Sequence, residues 1–445
     1  MRESPLLQAV REKTAACVQC GYCLPSCPTY RVTGQETHSP RGRIHLVKMA
    51  AEGRLPTAAI ADPLDLCLAC RACETACPSG VEYGQIHAAA RRAIAAAPEP
   101  PLARGVRRLI FRSILPYPRR LSLIANGLWA YQKSGIRRLV RRWKLLDKLP
   151  GQLGQWEQIL PDLPAPHRRR LPDHVSDKGG RKTPRPSAPA EPAMPDGPGK
   201  VGLFHGCIME VLYHRVNRLS MELLARCGYE VHLLAGQTCC GALHAHNGDD
   251  DLAVRLAKRN IEAAERAGVD WIVGNAGGCG AHMHEYPALF AGDPAWQARA
   301  QAFADKVRDI SQLLWEAKRP QAKTLPVAVT YQPSCHLAHV QKVTDAPRKL
   351  IQSIPGIRYR EIPHPELCCG SAGVYNLLHF DTAMQIVALK TANLRDMQVS
   401  YVVTSNPGCQ LQMQMGIRRE GLSSSIRVVH LVELLAEAWG IDVPS

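Results

Sequence analysis

The sequence CVQCGYCLPSCP at residues 17–28 is followed, fifty residues later, by CLACRACETACP at residues 67–78. Both stretches place four cysteines at the spacing C-x2-C-x2-C-x3-C and put a proline directly after the fourth. Three cysteines at this spacing can surround three corners of a cube-shaped cluster, while the fourth points away and the proline turns the chain. The repeat therefore predicts metal chemistry in the first 100 residues.

Bacterial ferredoxins use this spacing to bind two 4Fe-4S clusters, and the fourth cysteine of each motif binds the other cluster. We therefore predict two crossed sets of ligands. One set is Cys17, Cys20, Cys23 and Cys77, and the other is Cys67, Cys70, Cys73 and Cys27. Zinc sites and disulfides are the competing interpretations, and the duplicated motif disfavours both. The motifs are separated by the helical pattern RGRIHLVKMAAEGRL, so we expect an all-helical two-cluster ferredoxin domain over 1–100.

A second repeat occupies the chain from residue 200 onward. Its cysteines have nearly the same spacing in both copies: Cys207, Cys239, Cys240 and Cys279, then Cys335, Cys368, Cys369 and Cys409. Many of them follow short apolar runs such as VGLFHGC and VVTSNPGC, which are typical of buried parallel strands. Open α/β sheets bind ligands at the carboxyl ends of their strands. We expect two pseudo-symmetric α/β lobes with parallel sheets, 200–322 and 323–445, whose cysteines gather in a shared cleft.

The chemistry of these eight cysteines stays open at this point. A further iron–sulfur cluster and a metal-free redox site are the functional interpretations, and packing as small buried side chains is the alternative. Histidines flank the cysteines, and most are expected to be ordinary polar loop residues. His282 and His339 are the candidates for a role in the site. Cys227 has no counterpart in the second copy and is predicted to be a packing residue.

Positive charge is concentrated between the two cysteine-rich modules. The chain carries a net charge of +16, and residues 104–185 hold 20 Lys and Arg against five acids, a net of +15. Over 101–160 the arginines alternate with Leu, Ile and Trp, as in helices that lie on anionic membrane surfaces. Docking on another subunit is the alternative, and nucleic acid binding is disfavoured. Residues 161–199, rich in Pro, Gly, Ser and Arg, are predicted to form an extended linker.

The N-terminal residues carry acids and lack the apolar stretch of a secretory signal, which favours a reducing cytosol for the cysteines. No apolar run approaches the roughly 20 residues that span a bilayer. We therefore expect a cytoplasmic protein held peripherally at the inner face of the membrane. The sequence contains no dinucleotide-binding glycine motif, P-loop or nucleophile elbow, so an organic cofactor is expected on a partner.

The cysteine motifs, with SPRGRIHLVK, CCGALHAHNGD, CCGSAGVYNLL and SNPGCQLQ, resemble the glycolate oxidase iron–sulfur subunit family over nearly the whole chain. The resemblance implies two 4Fe-4S clusters, two cysteine-rich CCG domains, and FAD-binding partner subunits that oxidise glycolate to glyoxylate. It also implies electron delivery to membrane quinone. Related heterodisulfide reductase subunits end each repeat in Cys-x-x-Cys. This chain has Cys279-Gly-Ala-His282 and Cys409-Gln-Leu-Gln412 instead, so it lacks the fifth cysteine of their non-cubane clusters.

The predicted function is thus electron transfer within an oxidoreductase complex, with substrate oxidation in a partner and no catalytic residue identified in this chain. Three other functions fit the same motifs. The first is an iron–sulfur subunit for D-lactate or glycerol 3-phosphate oxidation. The second is a heterodisulfide-reductase-like catalytic subunit with its chemistry in the CCG cleft, and the third is a scaffold without redox activity.

Overall fold

The computed structural model describes residues 10–96, 108–148, 152–176 and 199–443, together with the single residues 7 and 105. Three parts follow one another along the chain: a helical N-terminal domain, a helical basic segment, and two α/β lobes. The fold class predicted from the sequence, α followed by α/β with parallel sheets, is confirmed.

The N-terminal domain contains only helices and turns within residues 10–96. Its α-helices are α1 Arg11–Ala15, α2 Pro28–Thr33, α3 Pro40–Ala51, α4 Ala61–Asp65, α5 Ala72–Thr75 and α6 Tyr83–Ala95, with 3₁₀ turns at Glu36–His38 and Thr57–Ile60. Helix α3 begins where Ser39 Oγ accepts a hydrogen bond from the Gly42 amide at 3.0 Å and Pro40 occupies the first turn. Its buried residues Ile44 and Val47 pack into one core with α6.

The basic segment is also helical, as predicted. It comprises a π-helix Arg108–Ile114, helices α7 Pro118–Lys133, α8 Ile136–Arg142 and α9 Leu153–Ile159, and a 3₁₀ turn Leu145–Lys148. Leu121 and Ala125 of α7 pack against Val211 of the first lobe. Arg112 forms a bidentate pair with Asp249 of that lobe, at 2.7 and 2.8 Å. The segment is therefore fixed to the first lobe and does not extend freely into solvent.

The prediction of an extended linker over 161–199 needs correction. Leu163 is buried against Leu121 of α7, and a 3₁₀ turn spans Pro166–Arg169. Strand β1, His174–Val175, then joins the sheet of the first lobe. The apolar residues of this Pro-rich stretch do not recur at a helical or strand period. The sequence pattern therefore did not predict their contacts. Residues 177–198 of this prediction lie outside the described residues.

Each lobe contains a parallel sheet covered by helices. The strands are β2 Lys200–Phe204, β3 Glu230–Leu233, β4 Trp271–Gly274, β5 Val307–Asp309, β6 Ala328–Gln332, β7 Arg358–Tyr359, β8 Tyr401–Thr404 and β9 Arg427–His430. Their orders are β1-β3-β2-β4-β5 and β7-β6-β8-β9, so the second sheet repeats the first without its antiparallel edge strand β1. The pseudo-symmetry expected from the cysteine spacing is present in the backbone.

Helices join the strands in the same order in both lobes, except for two additional helices between β4 and β5 of the first lobe. They are α10 Ile208–Leu212, α11 His214–Arg226, α12 Ala242–His246, α13 Asp250–Ala267, α14 Gly277–His284, α15 Tyr286–Leu289, α16 Pro294–Lys306, α17 Ile310–Glu316, α18 Cys335–His339, α19 Asp345–Gln352, α20 Tyr375–Leu378, α21 Phe380–Thr391, α22 Pro407–Arg419 and α23 Leu431–Trp439. The two sheets share one apolar core, which includes Leu203, Tyr331 and Leu435. Cys227 is buried in this core, in agreement with a packing role.

Candidate iron–sulfur sites

The first predicted set of cysteines lies around one surface cavity. Cys17, Cys20, Cys23 and Cys77 all line a cavity of about 410 Å³ that opens to solvent. Cys20 is exposed, and the neighbouring Val18 and Tyr22 are each 69% exposed. The first cavity is thus the part of the N-terminal domain that a partner protein can reach.

The second set lines a separate cavity of about 310 Å³. Its cysteines are Cys27, Cys67, Cys70 and Cys73, and all but Cys67 are buried. The fourth cysteine of each motif therefore lies with the first three of the other motif, which is the crossed arrangement. Cys73 lines both cavities. The cysteines around the second cavity are more buried than those around the first.

The spacing of the sulfur atoms bears on the zinc alternative. A single tetrahedral zinc ion with 2.3 Å bonds to sulfur holds its ligand atoms within about 4 Å of one another. Among the described residues, only His174, Glu230 and His232 form a group of three His, Cys, Asp or Glu side chains whose ligand atoms all lie within 4.8 Å. The ferredoxin-motif cysteines are therefore set wider apart than one ion requires, which fits a larger cluster.

Arg43 is a buried cation beside the second set, and no sequence argument had singled it out. Only 1% of the residue is exposed. Its guanidinium donates to Pro63 O at 2.7 Å and to Thr29 Oγ1 at 3.1 Å, and it lies 3.9 Å from Cys27 Sγ. One terminal nitrogen, Nη2, is buried without a hydrogen-bond partner. A buried charge needs a counter-charge, and a cluster held by four thiolates would supply one here.

Neighbouring groups also donate hydrogen bonds to the sulfur atoms. Tyr83 Oη donates to Cys67 Sγ at 3.3 Å, and the Ala69 amide donates to the same sulfur at 3.4 Å. Burial acts to raise the pKa of Cys67, but the charges of His87 and Arg43 and the hydrogen bonds outweigh it, and the pKa is lowered. Such hydrogen bonds stabilise thiolate ligands and tune cluster potentials.

The cysteines of each lobe form a short chain of sulfur contacts at the carboxyl ends of the strands. In lobe 1, Cys207 and Cys239 lie 3.5 Å apart, Cys240 is adjacent to Cys239, and Cys279 contacts Cys240. In lobe 2 the same order runs through Cys335, Cys368, Cys369 and Cys409. Cys279, Cys335 and Cys409 lie in the first turns of helices, not in loops as expected. The helix N-termini add a favourable field for thiolates.

The glycine after each cysteine pair has a conformation that other residues rarely adopt. Gly241 and Gly370 both have φ of +93°. In both, the amide donates to the sulfur two residues earlier, Cys239 or Cys368, at 3.5 Å. A Cβ on Gly370 would come within 2.9 Å of Ala383 O. The glycine is therefore required for the turn that presents two adjacent sulfurs to one site.

The thiols of the lobes are crowded and hard to ionise without a metal. The hydrogen bond from Cys335 to Cys368, together with burial, raises the pKa of Cys335 well above its usual value. In lobe 1 the hydrogen bond to Cys239, together with burial, raises the pKa of Cys207 in the same way. Buried thiols of this kind become thiolates when a cation binds and releases their protons. Each lobe thus brings four thiols together, and it is this grouping of sulfur donors that fits a metal centre.

The two candidate histidines have different surroundings. His282 follows Cys279 by three residues, and its Nε2 is buried without a partner and lies beside Gly241. His339 has both ring nitrogens engaged, with Glu366 O at 2.8 Å and Thr75 Oγ1 at 3.0 Å. His339 therefore joins lobe 2 to the N-terminal domain, and of these two candidates only His282 has a ring nitrogen without a partner. His205 and His244 of lobe 1 also have a buried Nδ1 without a partner. In lobe 2 the residue that corresponds to His282 is Gln412.

The basic segment combines internal ion pairs with exposed apolar groups. Arg137 and Arg141 both bind Glu157, at 2.9 and 2.8 Å, whereas Arg138 and Arg142 are exposed. Ten of the fourteen exposed large apolar side chains among the described residues lie between 109 and 153, including Leu123, at 69% exposure. Within the described ranges, none of the helices combines the length and apolar character needed to cross a bilayer.

Comparison with known proteins agrees with each part of this architecture. Residues 13–81 match the family described as 4Fe-4S dicluster domain, and residues 201–284 and 329–414 match the cysteine-rich CCG domain. Residues 102–160 match the linker region of the glycolate oxidase iron–sulfur subunit. The basic segment is thus a recognised part of that subunit.

Three relatives are informative. The "Probable glycolate oxidase iron-sulfur subunit" of Bacillus subtilis (strain 168) is 41% identical, over 95% of this chain and 94% of its own length. The Escherichia coli (strain K12) glycolate oxidase iron–sulfur subunit is 30% identical, over 95% and 93%. Lactate utilization protein A of Oceanobacillus iheyensis is 34% identical, over 53% of this chain and 96% of its own. By its domains and its similarity over nearly the full length, the chain belongs to the glycolate oxidase iron–sulfur subunit family.

Proposed function

We propose that the chain carries electrons within a glycolate-oxidising complex, from a flavoprotein partner to an acceptor at the membrane. The observation that supports this most directly is the pair of four-cysteine cavities, one beside the exposed Cys20 and one beside the buried Arg43. A bound 4Fe-4S cluster accepts and releases one electron with little rearrangement. The exposed surface around Cys20 would face the partner, where FAD is expected.

Different residues would have different roles in this electron transfer. Cys17, Cys20, Cys23 and Cys77 would hold the outer cluster, and Cys27, Cys67, Cys70 and Cys73 the inner one. Arg43 would balance the negative charge of the inner thiolates, while Tyr83 orients Cys67. The lobe cysteines would hold a further centre, and we assign His282 to the lobe 1 set because its Nε2 is buried without a partner.

Lactate, tested as its D isomer, is the second candidate substrate of the complex, because proteins named for lactate utilization match 53% of the chain. That match leaves much of this chain uncovered, whereas the glycolate oxidase subunits cover 95% of it. We expect the complex purified with its flavoprotein partners to reduce a dye acceptor with glycolate at least tenfold faster than with D-lactate. Reduction by D-lactate alone would contradict the assignment to glycolate oxidation.

We propose that the exposed apolar side chains of the basic segment bind an anionic membrane surface. Replacing Leu123, Leu139 and Trp143 together by Ser should weaken cosedimentation with phosphatidylglycerol-containing vesicles by tenfold or more. Each buried apolar side chain contributes about 1.5–3 kcal/mol to such binding. Leu377→Ser/Leu378→Ser is the matched control, because both are exposed but lie in lobe 2. Equal binding of the triple variant and the control would exclude this surface.

The arginines of the segment provide a second test of the same surface. Arg138 and Arg142 are exposed, whereas Arg137 and Arg141 are already paired with Glu157. Arg138→Gln/Arg142→Gln should weaken vesicle binding by about 1 kcal/mol for each charge, and the loss should vanish in high salt. The wild type and the variant should then bind neutral vesicles equally. A salt-independent loss would instead indicate a structural defect.

A further inference from the structure

Lobe 2 is docked directly on the second cysteine motif. His336 donates from Nε2 to the carbonyl oxygen of Ala69 at 3.0 Å, and Thr75 contacts His339 at 3.0 Å. Lys342 adds a hydrogen bond to Thr75 at 3.2 Å. These contacts lie on both sides of Cys70 in the chain. They hold α18, the helix that begins with Cys335, against α5 of the N-terminal domain.

The cysteines on the two sides of this junction share one apolar cluster. Cys70 is buried together with Cys368, Cys369 and Cys409, and Cys335 packs against the same cluster. The second cavity, which Cys70 lines, and the sulfur atoms of lobe 2 are therefore immediate neighbours.

Lobe 1 contacts the N-terminal domain in a different way. Its contacts include two ion pairs, Arg71 with Glu285 and Arg92 with Asp250, each at 2.8 Å. Gly248 also packs against Ala95 of α6. Within the described residues, no ferredoxin-motif cysteine belongs to the apolar cluster of the lobe 1 cysteines. Cys207 instead packs beside Leu121 of the basic segment. The two sets of lobe cysteines have the same sequence pattern, but only the lobe 2 set shares an apolar cluster with a ferredoxin-motif cysteine.

A buried charge distinguishes the two lobes further. Lys390 and Asn260 each precede the fourth cysteine of their lobe, Cys409 or Cys279, by nineteen residues. Lys390 is fully buried and donates to the carbonyl oxygens of Pro363 and His364. Asn260 is neutral and donates to Cys239 O at 3.0 Å. A buried ammonium favours extra negative charge on the lobe 2 sulfur set, whereas Asn260 offers no such stabilisation.

We infer that electrons leave the ferredoxin-type domain through Cys70 into the Cys335, Cys368, Cys369 and Cys409 set, and that lobe 2 precedes lobe 1 in the path. This order rests on the proposed function. Each transfer would move one electron: the cluster that Cys27, Cys67, Cys70 and Cys73 would hold would lose it, and the centre that the lobe 2 cysteines would hold would gain it. No bond forms or breaks and no proton moves. The reduced flavin of the partner would supply the electrons, which would enter at the exposed Cys20 side.

The internal symmetry of the chain supplies a matched pair of variants for the test. Cys335→Ala and Cys207→Ala remove the same position from lobe 2 and lobe 1. Both are prepared anaerobically as the whole chain, reduced with dithionite and examined by paramagnetic resonance, which detects magnetic coupling between neighbouring centres. The signal from the inner ferredoxin-type centre should narrow and saturate at lower microwave power in Cys335→Ala. The same signal should match the wild type in Cys207→Ala.

A second pair, Cys409→Ala and Cys279→Ala, repeats the comparison if a first variant fails to fold, as judged by circular dichroism. An unchanged signal in both lobe 2 variants overturns the inference, and so does a change that occurs equally in the lobe 1 variants. These outcomes leave the proposed function intact, because the ferredoxin-type signals are still present. A wild-type chain that shows no ferredoxin-type signal and no iron would overturn the proposed function instead.

Discussion

Replacing Cys20 and Cys77 together by Ala will remove one cluster, whereas replacing Cys20 and Cys27 together will remove both. The expected losses are about four and about eight iron atoms per chain, with four irons in each cluster. The reason is the crossed arrangement, in which Cys77 lines the same cavity as Cys20 and Cys27 lines the other. Iron analysis after anaerobic purification measures the difference directly.

A third variant completes the comparison. Cys27→Ala/Cys70→Ala changes two residues of the inner cavity and should also cost about four irons. If each motif instead held its own cluster, the results would reverse. Cys20→Ala/Cys27→Ala would then spare one cluster, and Cys20→Ala/Cys77→Ala would destroy both. Cys227→Ala is the control for a cysteine change without loss of iron, because Cys227 lies in the core between the lobes.

Arg43→Met will lower the reduction potential of the inner cluster by on the order of 100 mV. Methionine keeps the apolar stem but removes a positive charge that lies 3.9 Å from Cys27 Sγ in a buried setting. Reduction adds negative charge to the site, so it becomes harder when the neighbouring cation is removed. A potentiometric titration followed by paramagnetic resonance measures the shift.

Arg41→Met is the matched control for this prediction. Arg41 lies two residues away and lines the outer cavity, but Glu36 accepts its hydrogen bonds at 2.7 and 3.3 Å near the surface. Its charge is already balanced and screened by solvent, so a much smaller shift is expected. Arg43→Lys should restore most of the potential, because it retains the charge. Equal shifts for Arg43→Met and Arg41→Met would show that the buried charge has no special effect.

The sequence was sufficient to predict features that depend on local spacing. The spacing within each four-cysteine motif indicated which cysteines line each of the two cavities. The matching positions of the later cysteines after apolar runs indicated the backbone repeat. The parallel sheets followed from short apolar runs, and the helix α3 followed from its periodic pattern. These are properties that neighbouring residues determine together.

The sequence was not sufficient where residues far apart in the chain meet. His336 and Ala69 are separated by 267 positions, and nothing in either local pattern indicates their hydrogen bond. Arg43 and Lys390 look like surface residues of helices until packing buries them. The arginines of the basic segment looked equivalent, but Glu157 pairs with two of them and leaves Arg138 and Arg142 exposed. Partner choice of this kind is decided by tertiary structure.

The matching turns at Gly241 and Gly370 have a consequence for how the repeat could change over time. Both lobes contain the same backbone turn, with the same φ of +93° and the same amide-to-sulfur distance of 3.5 Å. Around this turn the two lobes differ at equivalent sequence positions. Lobe 1 has Asn260 and His282 where lobe 2 has Lys390 and Gln412. The two lobes thus share a backbone shape but differ in the electrostatic environment of their cysteines. A chain built from two copies of either half would preserve the architecture and lose the division of labour.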